Sequence, residues 1–330
     1  MKKIINGVDS LLAESLNGFA KAHQDIVSLN SSPYFVTRKQ PKDKANKVAL
    51  ISGGGSGHEP LHTGLVGKGM LDAACPGQIF TSPTPDQMMA AAQATENGAG
   101  VLFIVKNYAG DVMNFEIAAE MIDCEHATVL VSDDVSLPKD HSTGRRGVAG
   151  TLIVEKIVGA AAQAGKSLLE CKTLGDRVND ATASMGVALT SCTVPALGSP
   201  TFDIGDNEIE MGVGIHGERG REPMDLVSAS KIVEQLAQTI DEDLKPQQGQ
   251  KVLLHINGLG ATPLMELYLI YDLAAQFWSD RGVEVVRSLV GNYTTSLDMT
   301  GASITLTLLD DEMMTLWDAP VHTANLRWGC

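Results

Sequence analysis

The chain has 330 residues, of which 44% are hydrophobic and 20% charged, and its formal net charge is −15. That length exceeds the usual single core, so two domains are expected; the acidic balance argues against non-specific nucleic-acid binding, which needs phosphate neutralisation, and no apolar run is long enough for a membrane span. Five scattered cysteines (Cys75, Cys124, Cys171, Cys192, Cys330) without a Cys-x-x-Cys pair, and eight dispersed histidines without His-Glu-x-x-His, imply free thiols in a reducing cytoplasm and no metal centre.

The opening Met1-Lys-Lys-Ile-Ile-Asn-Gly runs straight into polar sequence and does not read as a signal peptide. Residues 7–23 carry apolar side chains at helical spacing. Residues 30–46 are polar, basic and proline-punctuated, which predicts a loop. Val48 to Ile51 is a short apolar run and reads as a buried strand. Ser52, three glycines, Ser56, Gly57, His58 and Glu59 follow. Glycines there allow a sharp turn and close approach to a ligand. A helix beginning near Glu59 or Pro60 would point its free N–H groups at the same loop. The stretch fits none of the familiar glycine motifs. A P-loop needs a lysine that is missing. The dinucleotide fingerprint meets His58 or Pro60 where it needs glycine, and the nucleophile elbow fails at His58 as well. Two readings stay open: a polar cup with His58 on its rim, or a tight loop with a structural histidine.

Residues 67–77 are turn-rich, and Thr81 to Pro85 looks like a helix start. Val101 to Lys106 is a second apolar strand, ending in Asn107-Tyr-Ala-Gly-Asp111. A helix is predicted from about Val112, which puts Asp111 at its N-cap. Thr128 to Ser132 is a third strand. Three strand–loop–helix units imply a largely parallel sheet, and in such sheets ligands bind beyond the carboxyl ends of the strands. The 53–58 and 106–111 loops are thereby expected at one edge.

Residues 147–185 read as helical, and 148–162 are apolar nearly all round, which predicts burial between elements or at an interface. Arg145 and Arg146 precede that helix. They read as ion-pair residues or as contacts for a phosphorylated partner or nucleotide. Residues 186–192 and 209–215 read as strands, 223–244 as a helix, 251–257 as a strand before a glycine turn and a further helix, and 284–289 and 303–309 as strands. His216 stands among glycines at a strand end, poorly placed for core packing. The expected fold is α/β, with two α/β domains at 1–185 and 186–330, each a mixed or largely parallel sheet flanked by helices. The candidate reactive groups are His58, Asp111 and His216, with Lys106 a fourth polar group. They fit a small polar-ligand enzyme using His and Asp for acid–base chemistry. His23, His62, His126, His141, His255, His322, Asp133 and Asp134 read as structural.

Seven motifs, in order, resemble dihydroxyacetone kinase: Ser52-Gly-Gly-Gly-Ser-Gly-His-Glu-Pro60, Phe80-Thr-Ser-Pro-Thr-Pro-Asp86, Val105-Lys-Asn-Tyr-Ala-Gly-Asp111, Gly144-Arg-Arg-Gly-Val-Ala149, Gly212-Val-Gly-Ile-His-Gly217, Leu259-Gly-Ala-Thr-Pro263 and Ser296-Leu-Asp-Met-Thr-Gly301. The resemblance runs on to Trp317-Asp-Ala-Pro-Val-His322. It is to the dihydroxyacetone-binding (K) subunit of the phosphoenolpyruvate-dependent form, because no nucleotide-binding domain follows the matching region. The resemblance implies no cofactor on this chain and ADP or ATP with Mg2+ on a separate L subunit. A phosphotransferase M subunit would act indirectly. A cytoplasmic homodimer is also implied.

Residue by residue, the resemblance makes His216 the group that adds to the substrate ketone as a hemiaminal. Neutral imidazole carries a lone pair and a carbonyl is an electrophile. Glycerol, lacking the carbonyl, would not be captured. Gly55, Ser56, Gly57 and His58 correspond to the substrate-binding loop, and Lys106 and Asp111 to the second loop. His58 and Asp111 would handle the hydroxyl proton during attack on phosphorus. An alternative within the resemblance is a dihydroxyacetone-sensing coactivator that partners a transcription regulator.

Overall fold

The computed structural model describes residues 2–39 and 46–330. In chain order, the elements begin with α1 (Leu11–Ala22), the hairpin β1 (Val27–Ser31) and β2 (Tyr34–Arg38), β3 (Ala49–Ser56), β4 (Gly67–Lys68), β5 (Ala73–Ile79), α2 (Pro85–Thr95), β6 (Val101–Lys106), α3 (Ala109–Met121) and β7 (His126–Val131). Then come α4 (Gly150–Gln163), α5 (Leu168–Asp180), β8 (Thr182–Ala188), β9 (Glu208–Met211), β10 (Glu222–Asp225), α6 (Ala229–Leu244), β11 (Lys251–Gly258), α7 (Leu264–Ser279), β12 (Glu284–Gly291), β13 (Gly301–Leu308), α8 (Asp311–Asp318), β14 (Val321–Thr323) and β15 (Arg327–Trp328).

These elements form two compact units that are discontinuous in sequence. The N-terminal unit holds residues 2–131, 151–178 and 313–330, and the C-terminal unit holds 132–150 and 179–312. A single junction near residue 185 is therefore replaced by a chain that passes between units several times, and position 185 itself lies inside β8. Contacts, not chain order, define a core.

The N-terminal unit is built on a six-stranded sheet of order β1-β2-β5-β3-β6-β7. β5, β3, β6 and β7 are parallel, and the β1–β2 hairpin adds an antiparallel edge. Phe103, Ile51, Met88 and Phe115 are buried together where α2 and α3 cover one face. The predicted 30–46 loop is half wrong: residues 34–38 form β2, and 40–45 lie outside the described residues. β5 likewise occupies the stretch read as turns. It is a fully internal strand whose alanines, glycine and Pro76 hide its pattern.

Helix α4 is buried along nearly its whole length. Burial within one chain explains its apolar surface, so no interface with a second copy is needed to cover it. The helical reading of 147–185 divides into α4, α5 and the start of β8.

The C-terminal unit carries the sheet β10-β9-β8-β13-β11-β12, antiparallel except for β11 with β12. Its core gathers Met185, Leu236, Ile256, Trp278 and Ile304 beneath α6 and α7. The expected helix 223–244 starts later, at Ala229, because β10 pairs with β9 through residue 225.

Candidate active site

The glycine stretch is strand, not loop. β3 continues through Ser56, with Gly53, Gly54 and Gly55 paired to Cys75, Pro76 and Gly77 of β5. Close neighbours favour glycine at all three positions, and at Gly53 and Gly55 those neighbours are backbone that cannot yield. A Cβ on Gly53 would lie 2.6 Å from the Cys75 carbonyl oxygen, and one on Gly55 would lie 2.6 Å from the Thr81 nitrogen. At Gly54 it would meet Lys106 Nζ at 2.2 Å. The turn comes only at Gly57, whose φ is +107°. No helix begins at Glu59 or Pro60; a short 3-10 turn follows at Thr63–Leu65. The free N–H groups expected from a helix at Glu59 or Pro60 are therefore not supplied by that segment.

Strands β3 and β6 run side by side and parallel, so their carboxyl ends bring the 53–58 and 106–111 segments to one edge as expected. Lys106, the last residue of β6, is fully buried. Its Nζ lies 3.5 Å from Asp111 Oδ2, 3.3 Å from the Gly53 carbonyl oxygen and 2.9 Å from His62 Nε2. An ammonium has three donors and no acceptor, and three acceptors surround this one.

Asp111 does not cap α3. The N-cap is Tyr108, and Asp111 sits in the first turn with 2% of its surface exposed. Its Oδ1 is buried with no hydrogen-bond partner among the described residues. A buried acceptor without a donor costs free energy, and here it leaves a lone pair open to a ligand hydroxyl.

Ser56 Oγ donates to the Gly77 carbonyl at 2.7 Å. The His58 ring is buried and stacks on Phe80, with centroids 5.1 Å apart and planes at 19°. The loop thus holds the imidazole by packing as well as by its backbone.

His62, read from sequence as structural, belongs to this cluster. Its Nδ1 lies 2.6 Å from Glu155 Oε1 and 3.0 Å from Ser52 Oγ. Burial pushes the Glu155 carboxyl up to about 8. Burial first, then the nearby Lys106 charge, holds His62 well below the usual imidazole range. Glu155 lies in the middle of an apolar helix, 93 residues from His62. The charged pair Glu155-Lys156 in an otherwise largely apolar run was its one sequence signal.

His216 belongs to the C-terminal unit and is partly exposed. It lies past the end of β9 in a turn that opens at Gly212, φ +73°. Its backbone N–H donates to Glu218 Oε2 at 2.7 Å. Arg146 braces the same turn, donating from Nη2 to the Gly212 carbonyl at 2.8 Å and from Nε to Asp134 Oδ2 at 2.7 Å. Arg145 pairs with both carboxylate oxygens of Asp243, at 2.7 and 3.0 Å. The ion-pair reading of the two arginines is therefore the one the structure supports. Asp133 accepts the backbone N–H groups of Val148 and Gly150 at 2.8 and 2.7 Å, a structural task.

Among the described residues no group of three or more His, Cys, Asp or Glu side chains could hold a metal ion, and no helix is long and apolar enough to cross a membrane.

Residues 17–325 match the Dak1 domain. The chain is 46% identical, over the full length of both proteins, to the dihydroxyacetone-binding subunit of the PEP-dependent dihydroxyacetone kinase of Escherichia coli (strain K12). It is 48% identical to the same subunit of PTS-dependent dihydroxyacetone kinase 1 of Listeria innocua serovar 6a, over 94% of this chain and 95% of that one. Among solved structures, a dihydroxyacetone kinase operon co-activator superposes with a TM-score of 0.87 at 31% identity, covering 94% of this chain and 97% of that one. The native dihydroxyacetone kinase of C. freundii also gives 0.87, at 33% identity, covering 99% of this chain but 60% of its own.

Proposed function

The chain belongs to the Dak1 family of dihydroxyacetone kinases, a family of phosphotransferases, and from that premise we propose that it captures dihydroxyacetone and presents its hydroxyl for phosphorylation by a nucleotide held on another subunit. The observation that carries this reading is the buried Lys106–Asp111 pair at the end of β6, with an unpartnered Asp111 oxygen. Such a pair can donate to one substrate oxygen and accept from another without help from water.

His216 adds through a ring nitrogen to the ketone carbon, and the carbonyl oxygen takes a proton to become the hemiaminal hydroxyl. The attacking nitrogen is the unprotonated one: as its lone pair bonds to carbon, the carbonyl π electrons move to oxygen, and the other ring nitrogen releases its proton to balance the one that oxygen gains, so the adduct stays neutral. The terminal hydroxyl oxygen then attacks the γ-phosphorus of ATP. Its proton passes to His58 or Asp111 and the bond to ADP breaks. Gly55, Ser56, Gly57 and His58 border the substrate, with Lys106 donating to its oxygens. The nucleotide and its Mg2+ are placed on a separate L subunit, rephosphorylated by an M subunit, and this chain works as a cytoplasmic homodimer.

The test is the three-component assay: this chain, an L subunit and an M subunit with phosphoenolpyruvate. Dihydroxyacetone phosphate should form only when all are present. Absence of turnover with authentic partners sinks the reading. A second reading, a dihydroxyacetone-sensing coactivator, is favoured by one observation: the co-activator superposes as well as the kinase does. Adduct formation without turnover would select it.

A further inference from the structure

Beneath β3 lies a line of buried side chains that the proposed reaction does not use. Lys106 donates to His62 Nε2 across 2.9 Å, and an ammonium has no lone pair to accept with. His62 Nε2 must therefore present its own lone pair. The neutral ring then carries its proton on Nδ1. That nitrogen faces Glu155 Oε1 at 2.6 Å and Ser52 Oγ at 3.0 Å. Ser52 spends its own hydrogen on the Ile104 carbonyl, 2.7 Å away, so its oxygen can only accept from the ring. Glu155 Oε1 accepts whether or not the carboxyl is protonated, because a proton can sit on Oε2. All three side chains are at most 5% exposed. Buried polar clusters of this kind are poor sources of stability, since desolvation offsets their attraction.

We propose that His62 and Glu155 are positioning residues for Lys106: Glu155 fixes the His62 tautomer, and His62 Nε2 then aims the ammonium at the ligand beside Asp111. This rests on the reading that Lys106 holds a substrate oxygen. Two of the three ammonium protons are tied to Gly53 and His62 on the strand side. The third points to Asp111 across a longer 3.5 Å, and is the one a substrate oxygen can take. A ring in the other tautomer would turn an N–H toward the ammonium and push it off this aim.

The experiment has two arms on the full chain. In the first, the nitrogen resonances of His62 are recorded in histidine-labelled protein and assigned with His62→Gln. Nδ1 should be the protonated nitrogen and Nε2 the bare one; the reverse overturns the proposal, whatever the chain's activity. In the second, dihydroxyacetone affinity is measured by adduct occupancy and by KM in the three-component assay. Glu155→Leu, with no acceptor, should weaken binding on the order of tenfold, the usual scale for a hydrogen bond involving a charged group. KM should rise more than kcat falls. Glu155→Gln keeps an oxygen acceptor, so it should retain the Nδ1–H tautomer and stay within about twofold of the parent affinity. Equal loss in both variants, or none in Glu155→Leu, overturns the proposal. Should Glu155→Leu fail to fold, the tautomer in the parent chain and in Glu155→Gln decides. Failure of the three-component assay alone sinks the phosphorylation reading and leaves the tautomer result standing.

Discussion

Glu218 holds the backbone of His216 while reaching for Arg146: one carboxylate oxygen accepts the His216 N–H at 2.7 Å and the other lies 3.4 Å from Arg146 Nη1. The histidine proposed to attack the ketone therefore hangs on a charged brace. Gly214 makes room for it, since a Cβ there would fall 1.9 Å from Glu218 Oε1. Replacing Glu218 with Ala should leave the fold intact and slow adduct formation about tenfold, the scale of one charge-assisted hydrogen bond. The time course of the mass adduct after mixing with dihydroxyacetone checks this; an unchanged rate removes Glu218 from the account.

His216→Ala should abolish the substrate-sized mass adduct altogether. The side chain is partly exposed, so the loss of stability should stay within about 0.5 kcal/mol. A persisting adduct would move the covalent site elsewhere.

Asp111→Asn should keep the adduct and lower turnover by about a hundredfold or more, the lower range for loss of a general base. The amide cannot take the hydroxyl proton. Single-turnover phosphoryl transfer is the measurement, and near-normal rates would leave His58 as the proton acceptor alone.

Gly54→Ala and Gly55→Ala should separate function from folding. At Gly54 the new methyl meets the tip of Lys106, a flexible chain that can yield, so the protein should fold and lose substrate affinity. At Gly55 it meets the Phe80 and Thr81 backbone at 2.6–2.8 Å. That strain should cost about 1–3 kcal/mol, visible as a lowered Tm. Equal Tm losses would contradict the assignment.

Glu155 predicts a pH dependence. Its carboxyl is raised from 4.5 to about 8 in the folded chain, so between those values the folded state binds a proton that the unfolded state has released. Stability must then fall as pH rises through that window. The His62 shift has the opposite sense: held low in the fold, it leaves the unfolded state with more protons below pH 6.5, so stability falls again on the acid side. Urea midpoints measured from pH 6.5 to 8.5 should decline, and Glu155→Gln should flatten that decline. An unaltered slope would show that Glu155 does not titrate there.

The sheet edge was readable in advance because Val101 to Val105 and Val48 to Ile51 are uninterrupted apolar runs, the pattern of strands buried on both faces. β5 was not, because Pro76, Gly77 and small residues erase that pattern. The three glycines were legible as a place of close approach, although what approaches is protein: Cys75, Lys106 and the Phe80–Thr81 backbone. Asp111 looked like a cap because a cap and a first-turn acid differ by only a few residues. His62 was beyond reach, since its partners come from Ser52, Lys106 and Glu155, and only the folded chain makes them neighbours.

The closing stretch of the chain rejoins the unit that begins it. Lys156 donates to the Leu316 carbonyl at 2.8 Å, and β14 pairs with β4 through His322 and Lys68. Shortening the protein from its carboxyl terminus would thus injure the half bearing Lys106 before the half bearing His216. Neither half can be prepared by a single cut, and exchanging them between relatives would require grafting separate pieces rather than one.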